Sequence, residues 1–502
     1  MALFDSYATD GFYDEMFQPD GQPRPHYRRL YQRLCALSPE DLRRRCQWAD
    51  LTHVPSGSLD ADDGSAHGMI KSGPFDLVPR ILPADEWEFL ERGVKQRLAA
   101  LNLFLHDIYH AQQILHDRVV PRELVVNAAA FQRELIGADP PGGIYVHICA
   151  TDLIRDADGT YRVLEDDVRI PSGVSCVLAN RRRLTRLLPH LFHDMAVRPV
   201  DHYATQLLHN LRQLAPPGRE AEPNIVLLTP RRADRACCED AYLAQQIGIA
   251  SVEGRDLFVE EALVYRRTPH GPQRVDVLYR RVDDTNLDPL AFRSGSLRGV
   301  PGLVNAYRLG NVTLANAIGT GIADDRVIYA YAPRIIEYYL GEKPILPNVD
   351  TYLAWNPPHR AYILANLDKL VVKTARKSDG GGILIGPQAS RAEREAFAAR
   401  IQADPRHYIA QPFVPLSRAP AFVDGHCEGR PVDLRLYALY GKDGITLLPG
   451  ALTRVALRTG SSVVSVPQGA GSKDTWVLSG ILREEPAIEP ERLIGRLRAD
   501  LS

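Results

Sequence analysis

An α/β protein with a helical N-terminal region is what the sequence predicts, and three stretches carry that reading. Residues 225–229 (IVLLT), 239–247 and 275–281 run strand, helix, strand, the order of an α/β unit. Residues 144–153 and 161–165 read as two strands joined by Asp156-Ala157-Asp158-Gly159, which holds the Asp-Gly pair of a hairpin turn. Residues 370–373 and 383–385 are short apolar strands on either side of Ser378-Asp379-Gly380-Gly381-Gly382, a third strand pair with a glycine loop between its arms.

Taken in order, residues 1–25 are polar, with Pro19, Pro23 and Pro25, and read as an arm or a partly ordered segment. Residues 26–48 read as a helix with Leu30, Leu34 and Leu37 on one side, and Arg43-Arg44-Arg45 as its solvated face. Residues 51–69 are loop-like. From Asp85 to His110 the apolar residues Trp87, Leu90, Val94, Leu98, Leu101, Leu105 and Ile108 recur at spacings of three and four, the stripe of a long helix. Helical sequence also covers 180–195, 201–214 and 327–340, with the linker Ala215-Pro216-Pro217-Gly218 between the second and the strand at 225. Ser390-Arg391-Ala392-Glu393 is a capping box opening a helix to about Ala403. Residues 408–411 and 432–439 read as strands, and 489–502 as a charged amphipathic tail.

Composition narrows the function classes. A net charge of −2 over 502 residues gives no support to a general nucleic-acid binder. No apolar run approaches the ~20 residues that span a bilayer, and the N-terminus carries acids where a signal peptide carries bases. The seven cysteines show neither a CxxC pair nor zinc-site spacing. A cytoplasmic protein with no membrane or nucleic-acid partner is the expectation.

The hairpin concentrates carboxylates. Glu165 and Asp167 are two apart on an extended segment and share a face; Asp152 falls opposite Glu165. Three carboxylates on one sheet face repel unless a cation sits among them, and hard oxygen ligands suit Mg²⁺ shared with substrate phosphates. A solvated acidic turn is the alternative, and the i, i+2 pair inside an otherwise apolar strand favours metal. The loop 169–173 (RIPSG) that follows offers an arginine, Ser172 and free N–H groups to an anion.

The glycine loop has two readings as well. Consecutive N–H groups at Gly380, Gly381 and Gly382 can form an anion nest, and Lys373 at the strand end can meet the same phosphates. A loose turn beside a surface lysine uses the same residues. The stretch does not match the P-loop pattern. Asp433 and Arg435 share one strand face, and Arg454 lies on another strand. Arginines inside strands near glycine loops hold phosphate or carboxylate more often than do surface ones.

With these stretches assembled, the chain resembles the circularly permuted ATP-grasp family related to glutathionylspermidine synthetase. The likeness runs from about Tyr13 to Leu478 and rests on 74–81 (PFDLVPRI), 152–167 (DLIRDADGTYRVLEDD), 171–175, 252–257, 278–284 (LYRRVDD), 310–325, 432–435 (VDLR), 452–457 and 472–478 (SKDTWVL). Permutation shows in the order of parts, because the acidic pair precedes the lysine strand. The resemblance implies a nucleotide clamped between two α+β lobes. It implies Mg²⁺ on Asp152, Glu165 and Asp167, and phosphates on Lys373 under Gly380–Gly382. Gln411 and its neighbours would lie along the adenine of ATP, and Arg435 and Arg454 would face the phosphates or an acyl phosphate. The sequence departs from the family pattern at Asp167, Arg231, Asp379 and Ser465.

The expected parts are a helical region with its arm (1–140), the metal strand pair with its helices (141–215), an α/β substrate-side domain (216–345), the lysine and glycine-loop lobe (346–480) and a tail (481–502). The expected activity is an ATP-dependent carboxylate–amine ligase working through an acyl phosphate. The rivals are a non-catalytic nucleotide-binding or partner-binding protein, and a kinase on the same fold. Partner proteins encoded nearby complete the expectation.

Overall fold

The strand pair that carries the carboxylates is the edge of a six-stranded sheet. In a computed structural model, which describes residues 3–5, 7–9, 11–51, 74–217, 222–230, 237–375, 382–423, 425–457 and 470–480, this central sheet runs Phe75–Leu82, Ala470–Val477, Gly444–Ala456, Leu434–Gly441, Ile148–Arg155, Tyr161–Asp167. All neighbours are antiparallel except Phe75–Leu82 on Ala470–Val477, which is parallel. Strands from both ends of the chain therefore build one sheet, which crosses the expected boundaries at 140 and 346. Register places Arg435 opposite Asp152, and Asp152 opposite Glu165.

Of the four smaller sheets among the described residues, two bear on the site. A parallel sheet of Thr313–Ala315, Val277–Arg280, Ile225–Leu228 and Ala250–Val252 realises the expected α/β unit. The lysine sheet runs Tyr352–Leu353, Tyr408–Pro412, Leu370–Thr374, Ile383–Ile385, all antiparallel. Leu370 and Val372 point into a cluster with Ile363 and Ile401, from the helices Pro357–Ala365 and Arg391–Ala403. Alternation along the strand turns Lys373 to the other face. The Ser390–Glu393 capping box is present, with Glu393 accepting from the Ser390 amide at 2.7 Å.

The long helix spans Ala84–Tyr109 and lies against the central sheet on the face opposite the carboxylates. Its Arg97 reaches Asp166, the residue between Glu165 and Asp167, at 2.7 Å. Helix Val174–Leu187 covers the carboxylate face. Asn180 donates to Ser472 Oγ at 3.1 Å and Arg181 binds Asp474 at 2.8 Å.

Several expectations change. The helix expected over 26–48 is broken into Arg28–Cys35 and Pro39–Leu51, and that over 180–195 into Val174–Leu187 and Pro189–Asp194. In each case a proline, Pro39 or Pro189, opens the second helix, since it lacks the N–H to continue the first. The region expected as an arm is in part core. Asp14, Glu15, Met16 and Phe17 are buried, and Glu15 binds Arg80 at 2.6 Å and Arg155 at 3.3 Å. A carboxylate between two sheet arginines fixes the segment, and no periodicity in the sequence announces it. The glycines Gly380 and Gly381, with Asp379, Ser465, Arg231 and the tail, lie outside the described residues. Gly382 is described, at φ 77°, in the left-handed region that favours glycine.

Candidate functional site

The central sheet gathers charge on one face. Arg435 forks across two carboxylates: one nitrogen lies 3.0 and 3.2 Å from the two Asp152 oxygens, and the other meets Asp167. Arg454 binds both oxygens of Asp433 at 2.9 and 3.0 Å and reaches Asp152 at 3.4 Å. These groups alternate because they occupy i, i+2 positions on neighbouring strands, so the pleat delivers them to one face. Arg435 side-chain exposure is 3% and that of Asp152 is 1%; Glu165 and Asp167 keep 13% and 15%. Burial alone would lower the Arg454 guanidinium, but Asp152 and Asp433 outweigh it and raise it. Burial pushes the Asp433 carboxyl up against the pull of Arg454.

Asp152, Glu165 and Asp167 thus share a face as expected, but they do not assemble as a three-ligand cluster. Among the described residues they are not a group whose ligand atoms all lie within 4.8 Å of one another. The reason is electrostatic: guanidinium groups stand between them. Asp152 is the shared counter-ion of Arg435 and Arg454, and Glu165 binds Arg326 through Nε at 3.2 Å and Nη2 at 3.0 Å.

Arg326 was not foreseen. It stands one residue beyond the motif stretch 310–325, and only its three-dimensional partners mark it. Its Nη1 donates to the Thr374 carbonyl at 2.9 Å and its amide to the Ala375 carbonyl at 2.9 Å. One side chain therefore joins the carboxylate strand to the end of the lysine strand. Lys373 is half-buried on the strand face away from the helices, and its Nζ donates to Gln411 Oε1 at 2.9 Å. Gln411 in turn donates to Thr351 Oγ1 at 3.1 Å.

The loop with Ser172 is also built from buried charge. Tyr437 donates to the Ser172 carbonyl at 2.9 Å. Glu239 accepts from the Gly173 amide at 2.6 Å and from Ser175 Oγ at 3.2 Å, and Arg281 bridges Glu239 and Asp240 while donating to the Pro171 carbonyl. Burial raises the Glu239 carboxyl despite Arg281. Asp283 and Asp284 are ion-paired, to Arg169 and Arg280 respectively. Neither Glu239 nor Arg281 carries a site signal in the sequence, although Arg281 lies in the LYRRVDD stretch (278–284).

The family model for circularly permuted ATP-grasp type 2 proteins matches residues 79–456, and the chain belongs to that family. It is 50% identical over 475 residues to the Synechocystis protein named "Uncharacterized protein sll0335", covering 95% of this chain and 98% of that one. It is 39% identical to the Frankia alni protein named "Putative glutamate--cysteine ligase 2-3", covering 95% of this chain but only 54% of the relative. The chain thus spans about half of a protein whose name belongs to the whole. Among solved structures, a glutathione synthetase-like effector (GSS30) from Globodera pallida in apoform superposes with a TM-score of 0.52 at 12% identity, over 92% of this chain and 100% of that one. That likeness concerns the fold. No described helix is long and apolar enough to cross a membrane.

Proposed function

We propose that the protein is an ATP-dependent carboxylate–amine ligase that activates its acid as an acyl phosphate. The observation that carries the reading is the pairing of a carboxylate face (Glu165, Asp167) with forked arginines (Arg435, Arg454), tied through Arg326 to the strand of Lys373. The ligase names of the Frankia relatives support the reaction class. A hard divalent cation needs only one or two carboxylates beside phosphate oxygens and water. Glu165 and Asp167, the partly exposed pair, fit it; Asp152, buried under two guanidinium groups, does not.

Mg²⁺, when bound, neutralises charge on the phosphate oxygens. The chain's own groups do the rest. Lys373 supplies a point charge to the phosphates, and Gln411 holds its ammonium in place. Arg435 and Arg454 present fixed positive charge to the transferring phosphoryl group and to the acyl phosphate, where preorganised charge lowers the barrier most. The γ-phosphoryl group passes to a carboxylate oxygen with loss of ADP. The amine nitrogen then attacks the acyl carbon, and phosphate leaves.

The test is nucleotide titration with and without Mg²⁺, followed by product analysis over a panel of amino acids and peptides. Glu165→Gln is expected to weaken Mg·ATP binding far more than binding of metal-free ATP. A ligase releases ADP and phosphate together and yields a product lighter than its two substrates by one water. ADP with a phosphorylated product identifies a kinase. Nucleotide binding without turnover over the whole panel identifies the non-catalytic reading, and no nucleotide binding removes all three.

A further inference from the structure

At the far end of the long helix, away from the carboxylate face, His106 and His110 stand one helical turn apart. Their rings stack with centroids 4.4 Å apart, and His110 Nε2 lies 3.0 Å from Asp139 Oδ1. One ligand atom from each of His106, His110 and Asp139 falls within 4.8 Å of the others. The tautomer is set by a neighbour: His110 Nδ1 is 2.9 Å from the His106 carbonyl oxygen. A carbonyl only accepts, so the Nδ1 proton is there. Nε2 of the neutral ring then carries only a lone pair and faces a carboxylate oxygen that also has only lone pairs. Two acceptors at 3.0 Å repel unless a cation lies between them, either a second proton or a metal.

Three features favour metal. A backbone carbonyl on the far ring nitrogen is the usual orienting partner of a metal-bound histidine. Bonds of about 2.0–2.1 Å at a tetrahedral angle separate neighbouring ligand atoms by about 3.3 Å, close to the 3.0 Å between His110 Nε2 and Asp139 Oδ1. The site also lies at the helix C-terminus, where the macrodipole favours a cation. The loop of Asp139 is pinned beside it, since the Gly137 amide donates to the Tyr109 carbonyl at 2.8 Å and Asn102 donates to the Gly143 carbonyl at 2.9 Å. His106 is exposed, and a turn of its ring out of the stack completes the set.

We propose that His106, His110 and Asp139 form a surface site for a late first-row divalent metal ion, with the remaining coordination positions open to water or an outside ligand. Imidazole donors select such ions over Mg²⁺, so the site is separate in chemistry as well as place from the carboxylate face. The experiment titrates the tag-free full chain with zinc against a chromophoric chelator, in excess Mg²⁺. One zinc is expected to bind to the wild type. His110→Gln and Asp139→Asn are each expected to weaken it by about tenfold or more, and His106→Gln/His110→Gln to abolish it, with His270→Gln unchanged. Zinc should raise the melting temperature of the wild type but not of the double variant, whose melting temperature in chelator establishes that it is folded. Absence of zinc binding by the wild type, with the His110–Asp139 pair titrating as a proton pair by NMR, overturns the proposal. So does zinc binding that survives in the folded double variant.

Discussion

Arg435→Met asks whether the forked arginine is a structural keystone of the carboxylate face. The side chain is 3% exposed and bridges Asp152, at 3.0 and 3.2 Å, and Asp167. Removing one member of a buried ion pair costs about 3–5 kcal/mol, because the partner keeps its desolvation penalty. Asp152 retains Arg454 at 3.4 Å, which moves the expectation to the lower end, about 3 kcal/mol. Asp152→Asn added to Arg435→Met removes the stranded charge and should recover about 1–2 kcal/mol, a coupling typical of groups in one network. Arg435→Lys keeps the charge but loses the fork, since an ammonium cannot span both carboxylates, and should fall between wild type and Arg435→Met. Urea unfolding followed by circular dichroism reads these differences from the midpoint at constant slope. A stability of Arg435→Met within about 0.5 kcal/mol of wild type would refute the reasoning, because it would mean that Asp152 and Asp167 do not depend on Arg435.

Lys473→Met should destabilise by about 3–5 kcal/mol, again by urea midpoint, since the fully buried ammonium holds Asp76 at 2.8 Å and the carbonyls of Val78 and Pro420 at 3.0 and 2.6 Å. Lys373→Met should leave the midpoint nearly unchanged and cut ATP affinity by about tenfold or more in calorimetry, because the half-buried lysine lies on the strand face away from the apolar cluster of Leu370 and Val372. Two buried groups should give opposite pH dependences. Burial, against the hydrogen bond from Tyr7, raises the Asp14 carboxyl to about 6; its contribution is fully present below the unfolded value near 3.8 and lost as pH rises through 6, a change of about 3 kcal/mol. Burial lowers His147 to about 4, so its contribution is present above about 6.5 and lost as pH falls towards 4. Between pH 6 and 4, Asp14→Asn should therefore lose stability more steeply than wild type and His147→Gln less steeply; parallel stability curves would count against both assignments.

The sequence made some features legible and hid others for physical reasons. Local signals worked where the cause is local: the stripe from Trp87 to Ile108, the Asp-Gly turn and the Ser390 capping box each depend on residues a few positions apart. The permuted ATP-grasp identity was legible because many short stretches matched together. Strands Phe75–Leu82 and Ala470–Val477 are hidden in the sequence, since they are buried along nearly their whole length and show no alternation. The burial of Glu15, the placement of Arg326 and the loss of Asp152 to two arginines were illegible for one reason. Each depends on which charge lies across a sheet or between sheets, and sequence spacing carries no information about that.

Arg326 also bears on how the site is held. A nucleotide reaching from Lys373 to Glu165 would span two sheets, and their separation is set by contacts that need no ligand. Arg326 is one tie, gripping Glu165 on one side and the Thr374 and Ala375 carbonyls on the other. A second lies two residues before Glu165: the Val163 amide donates to the Pro347 carbonyl at 2.8 Å, and the Val349 amide donates back to the Val163 carbonyl at 2.9 Å. Pro347 and Val349 lead directly into Tyr352–Leu353 of the lysine sheet. The carboxylate strand is thus fastened to both the edge strand and the central lysine strand of its neighbour. Fixed charge stabilises a transition state only to the extent that it need not reorganise, and these ties supply that condition at the ends of both strands. They also explain why Glu165 is served by an arginine and not by a lysine. Only a planar fork can hold the carboxylate with two nitrogens while a third binds a backbone carbonyl.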